Sequence, residues 1–232
     1  MEKVLVVGAT GSTGKLLVKQ LIEEDIRVIA IVRSPDALIS EIEDQSLLEM
    51  VTASISDMSV DDLTPYLRDC DAVVSCLGHN LTFKGMFGKP RSLVTDAVKT
   101  LTSAIVSISP ARKIRFILMN TTGNSNRDIP EKPPLSQRCV ISILRLLLPP
   151  HVDNENAADF LRLRIGQAHQ CIEWLAVRPD SLTDEASVSN YDVHASPTRN
   201  AIFDSAPTSR INVADFMKSL LLHDDLWHQW KG

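Results

Sequence analysis

The sequence is poor in residues that mark disulfide-rich and metal-binding proteins. Only four cysteines occur among 232 residues, and aromatic residues make up 5% of the chain. Cys70, Cys76, Cys139 and Cys171 include no CxxC pair and have no zinc-ligand spacing. A chain of this length does not need a disulfide framework. We therefore expect reduced, mostly buried thiols and no bound metal.

Basic charge and long apolar runs are also scarce. The formal net charge is -5, which argues against a nucleic-acid surface because such surfaces concentrate Lys and Arg. The longest apolar run, Val140 to Leu148, is interrupted twice and is far shorter than the roughly 20 residues of a membrane span. The N-terminus has no basic region typical of a secretory signal. We expect a cytoplasmic monomer or homodimer that binds a small-molecule substrate, and neither membrane nor nucleic acid.

What is present is a regular alternation of strand and helix patterns. Val4 to Val7 and Ile26 to Val32 are strand-like, and leucines at helical spacing lie between them. The later predicted strands are Glu49 to Ala53, Asp71 to Leu77, Ile114 to Met119 and Trp174 to Val177. The later predicted helices are Val60 to Leu67, about Pro90 to Val106, and Val213 to Leu222. This order predicts one α/β domain over residues 1–232, a Rossmann-type doubly wound parallel sheet.

Two segments depart from the alternation. Asn124 to Pro134 is rich in proline and charge and follows the fifth predicted strand, so it is a candidate lid or substrate wall. Pro179 to Thr208 is rich in Ser, Asp, Asn and Pro. It predicts a small irregular region on the substrate side, because ligands of such sheets bind beyond the carboxyl ends of the strands.

The sequence Gly-Ala-Thr-Gly-Ser-Thr-Gly follows the first predicted strand and opens a helix. In this context the first glycine makes a tight turn, the second admits a pyrophosphate, and the third lets the helix pack on the strand. The pattern predicts a dinucleotide site whose anion faces the N–H groups of the helix start. The residues predicted to bind the cofactor here are Gly8, Thr10, Gly11, Ser12, Thr13 and Gly14.

The residue that ends the second predicted strand bears on the choice of cofactor. An acidic residue there would bind the ribose hydroxyls of NAD, whereas arginine accommodates the 2′-phosphate of NADP. This chain has Arg33 followed by Ser34. The alternative interpretation is a solvated arginine at a strand end. The residue pair favours NADP, with NAD as the second possibility.

These residues, taken together, resemble a known family. The glycine loop, Val32-Arg33, Cys76-Leu77-Gly78, Met119 to Gly123 and Val177-Arg178-Pro179 are similar to the atypical short-chain dehydrogenase/reductases. The resemblance is to their NAD(P)H-binding, NmrA-like group, which includes biliverdin-IXβ/flavin reductase. It runs over nearly the whole chain and implies an NAD(P)H-dependent oxidoreductase.

The resemblance also implies positions for further site residues. It places the adenine near Ser54 and Ile55, although the group usually has a Gly-Asp pair there. It places the cofactor riboses beside Leu77, Gly78 and His79, and the nicotinamide near Asn120, Thr121, Arg178 and Pro179. Thr122 takes the serine-like position in the active site. His79 is the second catalytic candidate, because a neutral imidazole could relay a proton, and the alternative is a loop histidine without a chemical role.

The Tyr-x-x-x-Lys pair of typical short-chain dehydrogenases is absent. Only Tyr66 and Tyr191 occur, and neither has a lysine four residues later. The flavin and biliverdin reductases manage without this pair because a conjugated acceptor takes hydride directly. We therefore expect hydride transfer to a flavin, quinone or similar acceptor. The alternatives are a catalytically silent NAD(P)-binding redox sensor and, made less favourable by the missing pair, a nucleotide-sugar epimerase or dehydratase.

Overall fold

The computed structural model describes residues 1–79, 88–129, 131 and 134–230. Its main sheet is wholly parallel, with strand order β3-β2-β1-β4-β5-β6. The strands are β1 (Lys3–Val7), β2 (Arg27–Val32), β3 (Leu48–Thr52), β4 (Ala72–Ser75), β5 (Ile114–Met119) and β6 (Ile172–Val177). The predicted α/β class and Rossmann-type sheet are confirmed.

Helices cover both faces of this sheet. They are α1 (Ser12–Glu23), α2 (Asp36–Ile39), α3 (Val60–Leu67), α4 (Leu93–Ile108), α5 (Leu135–Leu147), α6 (Pro149–Phe160), α7 (Arg210–Leu222) and α8 (Asp224–Trp230). A 3₁₀ turn occupies Ile55–Asp57, and a π turn, Leu161–Ile165, extends α6. Two short strands, β7 (Ser181–Thr183) and β8 (Pro207–Ser209), form a separate parallel pair.

The two faces of the sheet are buried because side chains alternate along each strand. On β1, Val4 and Val6 join the core that contains Leu17 of α1 and Met217 of α7. Residues one position away along β1 join the core on the opposite face, beneath α3 and α4. A strand buried on both faces must be apolar throughout, which explains why β1 carries no polar alternation.

The strand order places the carboxyl ends of the strands at one edge and creates a switch point there. The chain moves outward from β1 to β3, then returns to pair β4 with the other side of β1. Helical connections therefore leave in opposite directions on either side of the β1–β4 gap. Ligands of open parallel sheets bind at such a point.

The main differences from the sequence prediction lie between β5 and β6. Neither α5 nor α6 was predicted, and α5 leaves Leu135, Ile143, Leu146 and Leu147 exposed. None of the helices in the described ranges is long and apolar enough to cross a membrane. The described residues of the predicted lid, 124–129, 131 and 134, are not helical. Positions 130, 132 and 133 of that segment lie outside the described residues.

Candidate functional site

The loop between β1 and α1 has the geometry of an anion site. Gly8 takes a φ of +74°, and the backbone N–H of Gly11 donates to the Gly8 carbonyl oxygen at 3.0 Å. α1 begins at Ser12, and within the described ranges no side chain caps it and no acidic residue lies in its first turn. The first N–H groups of α1 therefore remain available to an anion.

Gly8 and Gly14 are required by close packing, whereas the contact at Gly11 is less severe. A Cβ atom at Gly8 would lie 2.5 Å from the Cys76 carbonyl oxygen, and one at Gly14 would lie 2.2 Å from the Gly8 carbonyl oxygen. At Gly11 the same atom would meet only the Gly8 oxygen, at 3.2 Å. A side chain at this exposed position would thus require the Gly8 carbonyl to shift by a few tenths of an ångström, a smaller change than at Gly8 or Gly14. A ligand that approaches the backbone gives a further reason for glycine here, so the loop fits a dinucleotide pyrophosphate.

The remaining cofactor residues named from the sequence lie along the same edge with differing exposure. Those that are exposed or half-buried are Thr10, Ser12, Arg33, Ser34, Ser54, Leu77 and Gly78. Two are buried: Thr13 is 4% exposed, and Ile55 is 8% exposed and packs into the core beneath α3. Proximity of Ile55 to an adenine ring stays a prediction.

Arg33 provides an exposed positive charge directly after β2. Among the described residues it forms no ion pair. Nearby in sequence, Glu41 pairs with Lys15 of α1, and the hydrogen bond from Lys15 is the main cause that lowers the pKa of Glu41. The charge of Lys15 is therefore partly neutralised, whereas that of Arg33 is available to a ligand.

The residues after β5 form a hydrogen-bonded network. Asn120 is 8% exposed, and its Nδ2 donates to the Asn154 carbonyl oxygen of α6 at 3.1 Å. Its Oδ1 accepts the backbone N–H of Thr121 at 2.9 Å and the Nδ2 of Asn124 at 2.6 Å. Thr122, two positions after Asn120, is half-buried, and its hydroxyl donates to Asp180 Oδ1 at 3.2 Å. Asn120 thus shapes the turn that presents Thr122.

Arg178 joins the two irregular segments on the substrate side. Its guanidinium donates to both carboxylate oxygens of Glu131, at 2.6 and 3.2 Å, and to the carbonyl oxygens of Asn124 and Ala195. The side chains of Arg178 and Glu131 are 14% and 7% exposed. Pro179, which follows, is buried and accepts the backbone N–H of Thr122. In this structure Arg178 holds the wall in place, and its predicted contact with nicotinamide is not tested by this pairing.

His79 lies in a buried cluster on the other side of the site. Its Nε2 is 2.8 Å from Asp153 Oδ2, and its side chain is 4% exposed. Asp153, on α6, also accepts the backbone N–H groups of Val94 and Thr95 in the first turn of α4. The carboxylate therefore caps α4 from a distance and orients the imidazole. A proton-transfer role for His79 stays a prediction.

A second histidine adjoins the turn after β5. A Cβ atom added at Gly123 would lie 3.6 Å from His151 Cε1. His151 Nε2 is buried without a hydrogen-bond partner in the described part of the chain, 3.6 Å from Glu155 Oε1. Burial is the largest cause that lowers the pKa of His151, and Glu155 opposes it. Arg145 occupies both oxygens of Glu155, at 2.7 Å each, and weakens that opposition.

The cysteines do not supply a reactive group to the interior. Burial raises the pKa of Cys70 and of Cys76 to about 12, so both thiols stay protonated. Cys171 is half-buried and Cys139 is exposed on α5. Of the four cysteines, two are therefore buried, whereas the sequence predicts mostly buried thiols. No group of three or more His, Cys, Asp or Glu residues within the described ranges could hold a metal ion.

A cavity of about 820 Å³ opens at the carboxyl ends of β5 and β6. Thr122, Asp180 and Arg178 line it near the sheet, and residues 189–199 of the predicted substrate-side region form another wall. Tyr191 lies in that wall, and its hydroxyl donates to Asp215 Oδ2 at 2.8 Å. Burial and then Asp215 raise the pKa of Tyr191 well above its usual range.

Three side chains that organise the site were not found from the sequence. Asp180 directly follows Arg178-Pro179, so its position after β6 was a usable signal. Glu131 and Asp153 gave no local signal, because each acts on a residue distant in the chain.

The chain is similar in fold to several solved oxidoreductases. A short-chain dehydrogenase/reductase from Veillonella parvula, solved in complex with NADP, is 15% identical, with a TM-score of 0.66 over 98% of this chain and 90% of that chain. A candidate NADH-flavin reductase from Streptococcus pneumoniae is 18% identical, with a TM-score of 0.55 and coverage of 96% and 93%. The anaerobilin reductase ChuY from Escherichia coli O157:H7 is 17% identical, with a TM-score of 0.59 and coverage of 94% and 89%. At these identities the likeness shows the fold alone.

The sequence itself matches a family model. Among curated proteins, no sequence matches the chain. The family model described as NAD(P)H-binding, however, matches residues 8–224, which include the glycine loop and every strand and helix from α1 to α7. The chain therefore belongs to the NAD(P)H-binding family, as its resemblance to the atypical short-chain dehydrogenase/reductases predicts.

Proposed function

We propose that the protein is an NADPH-dependent reductase that transfers hydride to a conjugated acceptor such as a flavin or a quinone. The observation that carries this proposal is the state of Tyr191, the tyrosine that lines the cavity. Its hydroxyl donates a hydrogen bond to Asp215, and burial together with that carboxylate raises the tyrosine pKa. A tyrosine in this state is a poor base for an alcohol substrate, because its anion is disfavoured.

The basic residue that shares Asp215 with Tyr191 is not among the causes that act on the tyrosine pKa. Lys218 forms ion pairs with Asp215 and with Glu24, and it does not lie four residues after a tyrosine. In the usual dyad a lysine lowers the tyrosine pKa, whereas here burial and then the Asp215 carboxylate raise it. Epimerase or dehydratase chemistry that needs a tyrosine base is therefore less favoured.

A conjugated acceptor fits such a site because it needs little acid–base help from the protein. The reduced nicotinamide, when bound, supplies a hydride, and solvent supplies one proton, so the acceptor gains two electrons and two hydrogens in all. The glycine loop would hold the pyrophosphate, and the turn that carries Thr122 would orient the reacting groups. The cavity is large enough for a ring system of drug size.

The preference for NADPH is supported by Arg33. Its charge is exposed and unpaired among the described residues, and a guanidinium binds phosphate with two charge-assisted hydrogen bonds. The structural relative from Veillonella parvula was solved with NADP. These two observations favour NADPH over NADH.

The test incubates purified protein and NADPH with a panel of flavins, quinones and tetrapyrroles. Oxidation of NADPH is monitored as the loss of its absorbance. We expect turnover with at least one conjugated acceptor, and slower turnover with NADH. Micromolar binding of NADPH without turnover of any acceptor would contradict the reductase proposal.

That outcome would support the second candidate, a redox sensor that binds NAD(P) and reports to a protein partner. The exposed apolar side chains of α5 favour this candidate, because Leu135 is 75% and Leu146 is 84% exposed. Apolar groups in this number on one short helix are typical of a contact surface.

A further inference from the structure

In the turn after β5, residues 121–124, the backbone N–H groups are all hydrogen-bonded to other groups of the protein. Each of its N–H groups has an acceptor within 3.2 Å. The bonds run from Thr121 to Asn120 Oδ1, from Thr122 to the Pro179 carbonyl, from Gly123 to Thr121 Oγ1, and from Asn124 to the Thr121 carbonyl. A substrate carbonyl at this turn would therefore find no backbone N–H, unlike a carbonyl in an oxyanion hole.

The hydroxyl of Thr122 is also committed. It donates its single proton to Asp180 Oδ1, and Asp180 Oδ2 accepts the backbone N–H of Ala206 at 2.9 Å. A carboxylate only accepts, so the hydroxyl proton cannot turn away without removing the donor from Asp180 Oδ1. Thr122 and Asp180 both line the cavity. Thr122 thus presents only lone pairs to a ligand.

Asn124 adds a second acceptor to this wall. Its Nδ2 is bonded to Asn120 Oδ1, which already accepts the Thr121 N–H, so the orientation of the Asn124 amide is fixed by a backbone donor. Its Oδ1 is then buried without a donor in the described part of the chain. A buried acceptor without a donor is costly, and a ligand donor that enters the wall would relieve that cost.

We infer that this wall, formed by Thr122, Asn124 and Asp180, recognises its acceptor substrate through a ring N–H. The inference rests on the proposed reductase function and narrows its substrate class to conjugated heterocycles that carry an N–H, such as the imide of an isoalloxazine. A simple quinone presents carbonyl oxygens only, and these would face the acceptors of the wall. A site built around a hydrogen bond rejects analogues that lack the donor.

The direct test compares riboflavin with its N3-methyl derivative, which differs at the imide nitrogen and keeps the ring that takes hydride. With wild-type protein and NADPH, we expect N3-methylation to raise KM by at least about tenfold, because a buried acceptor loses its donor. The dissociation constant of each flavin is measured in parallel by fluorescence quenching on protein loaded with NADP. We expect the same difference in binding.

Asp180→Asn reverses the polarity of Thr122. The amide oxygen of the new side chain would accept the Ala206 N–H, so its NH₂ group would face Thr122 Oγ1 and release the hydroxyl proton toward the cavity. We expect this variant to lose the preference for the N–H flavin and to gain quinone reduction relative to wild type. Thr122→Val, which removes the acceptor, should also lose the preference. The matched control is Asp184→Asn, an exposed carboxylate that is not among the residues lining the cavity, which should keep it.

The outcomes separate the inference from the proposed function. Turnover of both flavins with equal KM and equal binding would overturn the inference and leave the reductase proposal standing. Turnover of no acceptor would overturn the reductase proposal. The inference would then be tested by the dissociation constants of the two flavins alone. An unchanged flavin preference in both Asp180→Asn and Thr122→Val would show that this wall does not read the N–H group.

Discussion

The glycine loop, which we call the cofactor side, and the residues around Thr122 and Arg178, which we call the substrate side, differ in how far apart in the sequence their interacting groups lie. The glycine loop is made of backbone groups from one short stretch, and its key bond joins Gly11 to Gly8. The substrate side is made of side chains from distant segments: Arg178 and Glu131 are 47 positions apart, and Thr122 and Asp180 are 58 apart. A site of the first kind is set by local conformation, and a site of the second kind depends on tertiary packing.

The largest expected effect is on the cofactor side, in Gly11→Val. The backbone at Gly11 is extended, and a Cβ there meets only the Gly8 carbonyl at 3.2 Å, so we expect the variant to fold after a small shift of that carbonyl, which circular dichroism would check. The branched side chain would occupy the approach of the pyrophosphate. We expect NADPH affinity, measured by titration calorimetry, to fall by at least about a thousandfold, or roughly 4 kcal/mol.

Gly14→Val is the contrasting variant for this loop. A Cβ at Gly14 would lie 2.2 Å from a backbone oxygen, so this variant should lose its fold as well as its cofactor, which circular dichroism and thermal melting would show. Retained NADPH affinity in a folded Gly11→Val protein would mean that the loop is only a structural turn.

On the substrate side, Glu131→Gln should lower stability and leave cofactor binding intact. The change removes one charge of the buried pair with Arg178 and leaves the guanidinium poorly compensated. We expect the free energy of unfolding, measured with urea, to fall by about 2 to 3 kcal/mol, with NADPH affinity unchanged.

Asp184→Asn is the matched control for that pair. It breaks an ion pair with Arg210 in which Asp184 is 81% exposed, so it should cost less than about 1 kcal/mol. Equal losses in the free energy of unfolding in the two variants would show that the buried Arg178–Glu131 pair stabilises the fold no more than an exposed ion pair does.

Arg33→Asp tests whether the cofactor side also selects the cofactor. Hydrogen bonds to a charged group contribute about 1.5 to 3 kcal/mol, so wild type should prefer NADPH over NADH by about ten- to a hundredfold. The variant should reverse the preference, because a carboxylate repels the 2′-phosphate and accepts bonds from ribose hydroxyls. Arg27→Asp, at the opposite end of β2 and also exposed, should leave the ratio unchanged. Equal affinities of the wild-type protein for NADPH and NADH in low salt would mean that Arg33 is a solvated residue at a strand end and does not select the cofactor.

The smallest expected effect concerns pH and His151. Its folded pKa lies below the usual 6.5 because of burial, so the unfolded chain binds the proton more readily. Stability from this group is therefore present above pH 6.5 and is lost as pH falls through 6.5 toward the folded pKa. His151→Gln should flatten the acid limb of a plot of unfolding free energy against pH. His194→Gln, at an exposed histidine, should leave that limb as it is, and parallel limbs in all three proteins would argue against a role for His151.

The comparison of the two sides also explains what could be predicted. The bounds of α3 and β5 agree with the sequence prediction at Val60–Leu67 and Ile114–Met119, since apolar periodicity determines them. The glycine loop was found because its requirement is local. α6 was missed because its buried residues are Asp153 and Ala157, so no apolar stripe marks it. Its carboxylate is buried because it caps α4, which is a property of the folded chain only.

Through the adjacent residues Asp153 and Asn154, α6 contacts both the His79 cluster and the turn after β5. The first binds His79 and the start of α4, and the second holds Asn120 through its carbonyl oxygen. A displacement of α6 would therefore move His79 and Asn120 together. If ligand binding near one of them shifts α6, the resulting coupling is reciprocal in free energy: the factor by which one ligand changes the affinity of the other must equal the factor in the reverse direction.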